Sequence, residues 1–181
     1  MKFAECDSNI IQSLPTSCAI KCQQLIMRDY GIDVSESDLC RIAKENGWFD
    51  ESIGVYMHDN GKLLGCFGVE YHHSQGNDFN DIIKELQQRH RVMVNLNRAK
   101  LLNLDVNDKH NEACHAVLVS EIVENDYVSI TDPANGNVNQ KIAKRTFCEA
   151  WKDSQCYMLA TETSAKYVYN SCSKSMDLIT I

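Results

Sequence analysis

The sequence predicts an α+β protein, with a helical N-terminal half packed on an antiparallel sheet in the C-terminal half. Apolar residues recur at helical spacing before His90, and short apolar or alternating runs typical of strands follow it. The 181 residues, 44% hydrophobic and 24% charged, have the size and composition of one globular domain. No repeat or linker divides the chain, so we expect a single domain over 1–163 and a C-terminal tail over 164–181.

Helices are expected in the N-terminal half wherever apolar spacing coincides with caps or stops. In the first helix, Ala19, Cys22 and Leu25 share one stripe, and Gly31 ends it. The fourth follows Asp78, whose side chain can accept hydrogen bonds from the first turn. The predicted helices are 18–30, a segment between the cap at 35–38 and Gly47, about 50–64, and a segment from 79 to before His90.

Strands are expected in the C-terminal half, where apolar runs are short and bounded by turn residues. The predicted strands are 92–96, 116–123, 127–131 and 156–161. They are separated by a polar stretch at 97–113, a turn at 124–125, a loop at 133–137 and a short helix around 146–151. If the hairpin turns at 124–125, Asp132 lies opposite Val117. His115 is then one diagonal step from Asp132, roughly 7 to 8 Å away between backbones.

The charge balance and the start of the chain exclude some partners. Lys and Arg supply 18 positive charges against 25 from Asp and Glu, so the net charge of −7 gives no basic surface for nucleic acid. The chain has no apolar run of the roughly 20 residues that a membrane span needs, and its start lacks the apolar stretch of a secretory signal. We therefore expect a cytoplasmic protein with no membrane span and no nucleic-acid partner.

The nine cysteines are expected to be mostly free thiols, because an odd number spread over the whole chain does not suggest a disulfide framework. Most of them are expected to pack in the core, as free cysteines usually do. Cys18 differs because it follows Pro15-Thr16-Ser17 at the start of a predicted helix. The positive end of a helix dipole favours the thiolate, which is the nucleophilic form.

Three further residues complete a candidate acyl-transfer site around Cys18. Asp132 can orient His115 and stabilise its cation while the imidazole takes a proton from the thiol. Gln12 lies six residues before Cys18, and its amide could join the backbone N–H of Cys18 as an oxyanion donor. Taken singly, His115 could be an ordinary strand histidine and Asp132 a turn former before Pro133, so the prediction depends on the set.

The set resembles the papain-like peptidase domains of bacteriocin ABC exporters, which cleave leader peptides after a double glycine. In that family a Gln precedes the catalytic Cys by six positions, a small residue or Cys follows it by four, and a His precedes an Asp-Pro by about sixteen. Gln12, Cys18, Cys22, His115 and Asp132-Pro133 occupy those places here. The resemblance implies a papain-like cysteine peptidase with Cys18, His115 and Asp132 as its triad, Gln12 in the oxyanion hole and no cofactor.

The resemblance covers about residues 10–162, including the helix at 147–151 and the strand at 156–160. It departs at the nucleophile, where Ser17-Cys18-Ala19 replaces the family's usual Asp-Cys-Gly. It departs again in the long insertion at 97–113, and we expect no attached transporter. We therefore do not carry over the double-glycine specificity, and expect only a peptide or protein substrate.

Alternative functions remain open at this point. Glutamine deamidation and acyl transfer use the same thioester chemistry, and such an enzyme would suit a bacterial effector or toxin delivered into another cell. A non-catalytic binding module is disfavoured because all four catalytic positions hold competent residues. A zinc site is disfavoured because Cys114 and His115, adjacent on a strand, point to opposite faces. His72, His73 and His110 are spare candidates for a ligand or base, and the oligomeric state is left open.

Overall fold

A computed structural model describes residues 5–6, 8–103, 114–124, 126–164, 167–170 and 175–178. The helices are α1 (Cys18–Asp29), α2 (Glu36–Glu45), α3 (Lys62–Cys66), α4 (Phe79–Gln87), α5 (Arg98–Leu102) and α6 (Lys144–Lys152), with one 3₁₀ turn at Met57–Asp59. The strands are β1 (Glu5–Cys6), β2 (Phe49–Asp50), β3 (Gly54–Val55), β4 (Tyr71–Ser74), β5 (Val92–Asn97), β6 (Cys114–Val123), β7 (Tyr127–Asp132), β8 (Asn137–Ala143), β9 (Met158–Thr161), β10 (Tyr167–Asn170) and β11 (Ser175–Leu178).

The main sheet has seven strands in the order β1-β8-β7-β6-β5-β9-β4, and every neighbouring pair is antiparallel. Two small hairpins, β2–β3 and β10–β11, lie outside this sheet. The sheet and the helices around it confirm the predicted α+β class. The sheet differs from the prediction at its two edges, where strands from the N-terminal half are added: β1 beside β8 and β4 beside β9.

Helices cover both faces of the sheet, rather than one. On one face, α1, α2 and α3 share a core with sheet residues such as Met93 and Leu118. On the other face, α4, α5 and α6 enclose a second core around Val94 and Val117, with Phe147 and Trp151 of α6. Successive strand residues point to opposite faces, so β5 and β6 supply both cores, and the runs 92–94 and 116–119 are apolar without interruption.

The first, second and fourth predicted helices are confirmed. Ser35 caps α2 by accepting a hydrogen bond from the N–H of Asp38. Asp78 caps α4 in a reciprocal capping box with Asp81. α1 ends before Gly31, which has a positive φ of 78°. The short helix predicted around 146–151 is also present, as α6.

The predicted helix from about 50 to 64 is wrong. The segment instead forms the β2–β3 hairpin, the 3₁₀ turn and the five-residue α3. Gly54 has a φ of 102° and Gly61 a φ of 93°, values that interrupt a right-handed helix. A Cβ on Gly54 would also lie 3.0 Å from the carbonyl oxygen of Thr16, so this hairpin packs closely on the loop that leads to α1.

The sheet contains three strands that the sequence analysis missed: the two-residue β1, with β4 and β8. β8 is polar at most positions and buries mainly Val138 and Ile142, so its alternation is weak. β4 contains two histidines and no fully buried residue. The polar stretch at 97–113 begins with α5, while 104–113, including His110, lie outside the described residues.

The hairpin of β6 and β7 reaches the predicted register by an unexpected route. Val123 pairs with Tyr127, so the turn is one residue longer than expected, and the register shifts back between Val119 and Glu121. Leu118 pairs with Thr131 as a result, and the next step along both strands sets Asp132 opposite Val117. An extra turn residue and a β-bulge therefore cancel.

The backbone of the tail includes the hairpin of β10 and β11. The division into a domain over 1–163 and a tail stays a prediction. Over the described ranges, no helix combines the length and apolarity that crossing a bilayer requires.

Candidate active site

Cys18 is the first residue of α1, a position that leaves the early N–H groups of the helix without backbone partners. The preceding residue, Ser17, is fully buried, and its hydroxyl does not cap the helix. The thiol instead meets the sheet, because the N–H of Ala116 in β6 lies 3.5 Å from Sγ of Cys18. The nucleophile candidate therefore lies between the start of α1 and the start of β6.

The imidazole of His115 bridges the thiol and a buried carboxylate. Its Nε2 lies 2.6 Å from Oδ1 of Asp132, whose side chain is fully buried. The N–H of Ala134 donates to the same oxygen at 2.9 Å and fixes the carboxylate in the turn after β7. Because Nε2 faces Asp132, the other ring nitrogen is left for Cys18, which is hydrogen-bonded to His115. The structure thus brings these three predicted residues together.

The charges of the three residues support one another. Burial would raise the pKa of the Cys18 thiol, but the hydrogen bond and charge of His115, with the N–H groups of Ala116 and Ala19, bring it below its ordinary value. Burial would lower the pKa of His115, but hydrogen bonds and charges from Asp132 and Cys18 raise it to about 9. A thiolate–imidazolium pair is therefore the favoured state at a pH above the pKa of Cys18 and below that of His115.

Asp132 has a second charged neighbour that the sequence analysis missed. Burial would raise the pKa of Asp132, yet the hydrogen bond and charge of His115, the N–H of Ala134 and the charge of Arg98 lower it. Nε of Arg98 lies 3.7 Å from Oδ2 of Asp132. Arg98 begins α5, inside the segment interpreted as a polar loop, and no sequence signal connects it to a residue 34 positions away.

Gln12 lies beside the site, but its amide hydrogens are already used. Nε2 donates to the carbonyl oxygens of Leu14 at 2.7 Å and Pro15 at 2.8 Å, while Oε1 is buried without a partner among the described residues. Its backbone N–H donates to the carbonyl of Pro133 at 2.8 Å, which joins the Cys18 loop to the Asp132 turn. An oxyanion would therefore have to replace one of two existing acceptors of Gln12.

The other cysteines whose side chains the structure describes lack these features. Cys22 is fully buried one turn along α1, and burial raises its pKa well above the ordinary value. Burial also raises the pKa of Cys40, to about 11, and that of Cys114. Cys66 is exposed on α3. All the cysteines whose side chains the structure describes are free thiols.

His72 and His73 make other contacts, and the described residues give no support to the zinc alternative. His73 stacks on Tyr71 and contacts the ring of Tyr157, whereas His72 lies 3.5 Å from a carboxylate oxygen of Glu85. Sγ of Cys114 lies 3.9 Å from the sulfur of Met57. Within the described ranges, no group of three or more His, Cys, Asp or Glu side chains is arranged to hold a metal ion.

Comparison with known proteins places this geometry in a family. The family model described as Peptidase_C39 like family matches residues 7–159, which include Cys18, His115 and Asp132. The chain therefore belongs to the peptidase C39-like family. No curated protein sequence matches it.

Solved structures share the fold at low sequence identity. A Bacillus anthracis protein described as a C39-like peptidase superposes with a TM-score of 0.65 at 17% identity, over 91% of this chain and 100% of the other. The peptidase domain of Streptococcus ComA, a bifunctional ABC transporter of a quorum-sensing pathway, gives 0.61 at 14% identity, over 85% and 96%. A double-glycine-motif protease from an AMS/PCAT transporter, solved with its leader peptide, gives 0.55 at 16% identity, over 88% and 94%. The papain-like peptidase fold and the resemblance to exporter peptidase domains are confirmed.

Proposed function

We propose that this protein is a cysteine peptidase in which Cys18 is the nucleophile, His115 the general acid and base, and Asp132 the residue that orients the imidazole. The observation that supports the proposal most strongly is the continuous hydrogen-bonded series from Cys18 through His115 to Asp132, at the start of a helix. Each link favours the charged form that the chemistry needs: thiolate, imidazolium and carboxylate.

The reaction follows from this arrangement. The Cys18 thiolate attacks the scissile carbonyl carbon, a C–S bond forms, and the carbonyl π electrons move to oxygen. As the tetrahedral intermediate collapses, the C–N bond breaks and His115 gives its proton to the leaving amine. The neutral imidazole then takes a proton from water, whose oxygen attacks the thioester. Loss of the thiolate releases the acid and restores the starting pair.

The developing oxyanion needs donors near Cys18. The N–H of Cys18 is in the first turn of α1 and has no acceptor among the described residues, so it is available. Gln12 is proposed as the second donor. Because its amide holds the carbonyls of Leu14 and Pro15, it would exchange one of them for the oxyanion as the substrate binds.

The substrate class proposed is a peptide or protein. A neighbour solved with a leader peptide supports a peptide substrate for this fold. The double-glycine rule is not part of the proposal, because Ser17 and Ala19 flank the nucleophile where the exporter domains usually have Asp and Gly.

The test compares wild-type protein with Cys18→Ala in a cell lysate. New N-termini are mapped by mass spectrometry, and released ammonia is measured in the same reactions with glutamine-containing peptides. We expect N-termini that depend on Cys18, followed by cleavage of synthetic peptides carrying the mapped sites. Ammonia without new N-termini would replace the peptidase with a glutamine deamidase, and transfer to an added amine would indicate an acyltransferase.

A further inference from the structure

The loop that leads to the nucleophile is held by a buried carboxylate from another helix. Glu36 is the first residue of α2 and is 8% exposed. Its Oε1 accepts from the N–H of Ser13 at 2.9 Å and from the hydroxyl of Ser17 at 2.7 Å. Its Oε2 lies 3.4 Å from Nζ of Lys21, which is 7% exposed. One carboxylate therefore links residues on both sides of Cys18.

The contact with Ser17 changes the start of α1. A serine immediately before a helix usually accepts a hydrogen bond from an N–H of the first turn. Here the Ser17 hydroxyl makes no such bond, because its 2.7 Å contact to Glu36 and a 3.2 Å contact from the N–H of Leu14 engage it. The N–H of Ala19, the second helical residue and a usual partner of such a cap, instead hydrogen-bonds the Cys18 thiolate. The N–H of Cys18 has no acceptor among the described residues.

We infer that Glu36 is a positioning residue for catalysis, which holds the 13–17 loop so that the N–H of Cys18 points at the oxyanion. The inference rests on the proposed peptidase function, and extends it to a residue that touches neither substrate nor thiol. A displacement of the loop by about 1 Å would misplace that donor, and such shifts can cost roughly a hundredfold in rate. Gln12 also supports this loop, because its side-chain amide donates to the carbonyls of Leu14 and Pro15.

The decisive variant is Glu36→Gln, which keeps the side-chain shape but removes the charge. Glu36→Gln leaves Lys21 buried without its counterion, so a second variant is needed. Ser17→Ala removes only the hydroxyl link to Glu36. Asp38→Asn is the matched control: Asp38 lies in the same first turn of α2 and pairs with Arg41, but both side chains are 58% exposed. Thermal unfolding checks that each variant folds.

Three readouts separate positioning from general damage. The first is kcat and KM on a peptide with a mapped cleavage site. The second is affinity for the corresponding peptide aldehyde, which forms a C–S bond with Cys18 and places its oxygen in the oxyanion hole. The third is the rate of Cys18 alkylation by iodoacetamide, a displacement of iodide that creates no oxyanion. We expect kcat and aldehyde affinity to fall together, roughly tenfold to a hundredfold, with KM and the alkylation rate unchanged.

Two results would overturn the inference. One is a Glu36→Gln protein that keeps wild-type kcat and aldehyde affinity. The other is a parallel loss of alkylation, which would mean that the whole site had collapsed. Hydrogen exchange of the amides at 13–18 should accelerate in Glu36→Gln and not in Asp38→Asn, and this readout needs no substrate. If the wild type cleaved no peptide, the proposed function would fail by itself, while the exchange rates would still decide whether Glu36 holds the loop.

Discussion

Two histidine–carboxylate pairs flank the two ends of β5 and differ in what lies beside them. At one end, Nδ1 of His90 lies 2.6 Å from Oε2 of Glu85; at the other, Nε2 of His115 lies 2.6 Å from Oδ1 of Asp132. The two imidazoles are similarly buried, at 12% and 9% exposure. Only His115 also meets a thiol at a helix N-terminus. The thiol, as the third partner, therefore defines the chemistry of the site. A histidine–carboxylate pair without a thiol only links two parts of the fold.

The largest contrast between the two pairs is expected on removing the imidazoles. His115→Ala and Cys18→Ala should each abolish peptide cleavage, a loss of roughly 10⁴-fold or more, because neither the thiolate nor its proton carrier has a substitute. His90→Ala should retain most of the activity, as should His110→Ala. Initial rates on a mapped peptide measure this, and full activity in His115→Ala would show that the triad assignment is wrong.

Replacing the carboxylate of each pair by an amide compares the two pairs through the pH profile of kcat/KM. Together with Cys18, Asp132 raises the pKa of His115 to about 9 through its hydrogen bond and its charge, so the imidazolium persists below that pH and is lost above it. Asp132→Asn removes this support, so the pKa of His115 falls and the alkaline limb of kcat/KM should move to lower pH. We also expect a rate loss of roughly 10²- to 10⁴-fold at the optimum.

The matched change at the other pair is Glu85→Gln. It should leave both limbs of the pH profile where they are, because Glu85 contacts His90 and His72 rather than His115. A shift of the alkaline limb in Glu85→Gln, or none in Asp132→Asn, would mean that another group controls that limb.

A smaller effect is expected from the oxyanion side of the site. Gln12→Ala should lower turnover by roughly a hundredfold, since one lost oxyanion donor costs on the order of 3 kcal/mol in the transition state. Iodoacetamide should still alkylate Cys18 at the wild-type rate, because the thiolate and imidazolium remain. Turnover at the wild-type rate in Gln12→Ala would assign the oxyanion hole to other donors.

Local signals in the sequence predicted the parts of the fold that depend on nearby residues. The helices α1, α2 and α4 follow from apolar spacing and from caps such as Ser35 and Asp78. The segment at 50–64 could not be predicted in this way, since its shape depends on the contact of Gly54 with Thr16 and on positive φ values. The β6–β7 register agreed at Asp132 because an added turn residue and a bulge cancelled, and no local pattern announces such a pair.

The contacts of the candidate site also divide into those that could be predicted from the sequence and those that could not. His115 and Asp132 could be paired from the sequence because strand alternation and a short hairpin relate them. Three contacts depend on tertiary packing: the side-chain hydrogen bonds of Gln12, the contact of Arg98 with Asp132, and the hydrogen bond from Ser17 to Glu36. The groups in each contact are close in space, but no pattern in the sequence indicates that they are neighbours.

Competitive labelling tests the activation of Cys18 by His115 without any substrate. The folded protein is treated with substoichiometric iodoacetamide near pH 6, and the labelled cysteines are identified by mass spectrometry. The other candidates are the exposed Cys66 and Cys114, with Cys6 and Cys172, which lack an activating partner in the sequence. We predict that the label falls mainly on Cys18 and that His115→Ala removes this preference. Labelling that favours any other cysteine, or an unchanged Cys18 rate in His115→Ala, would contradict the account.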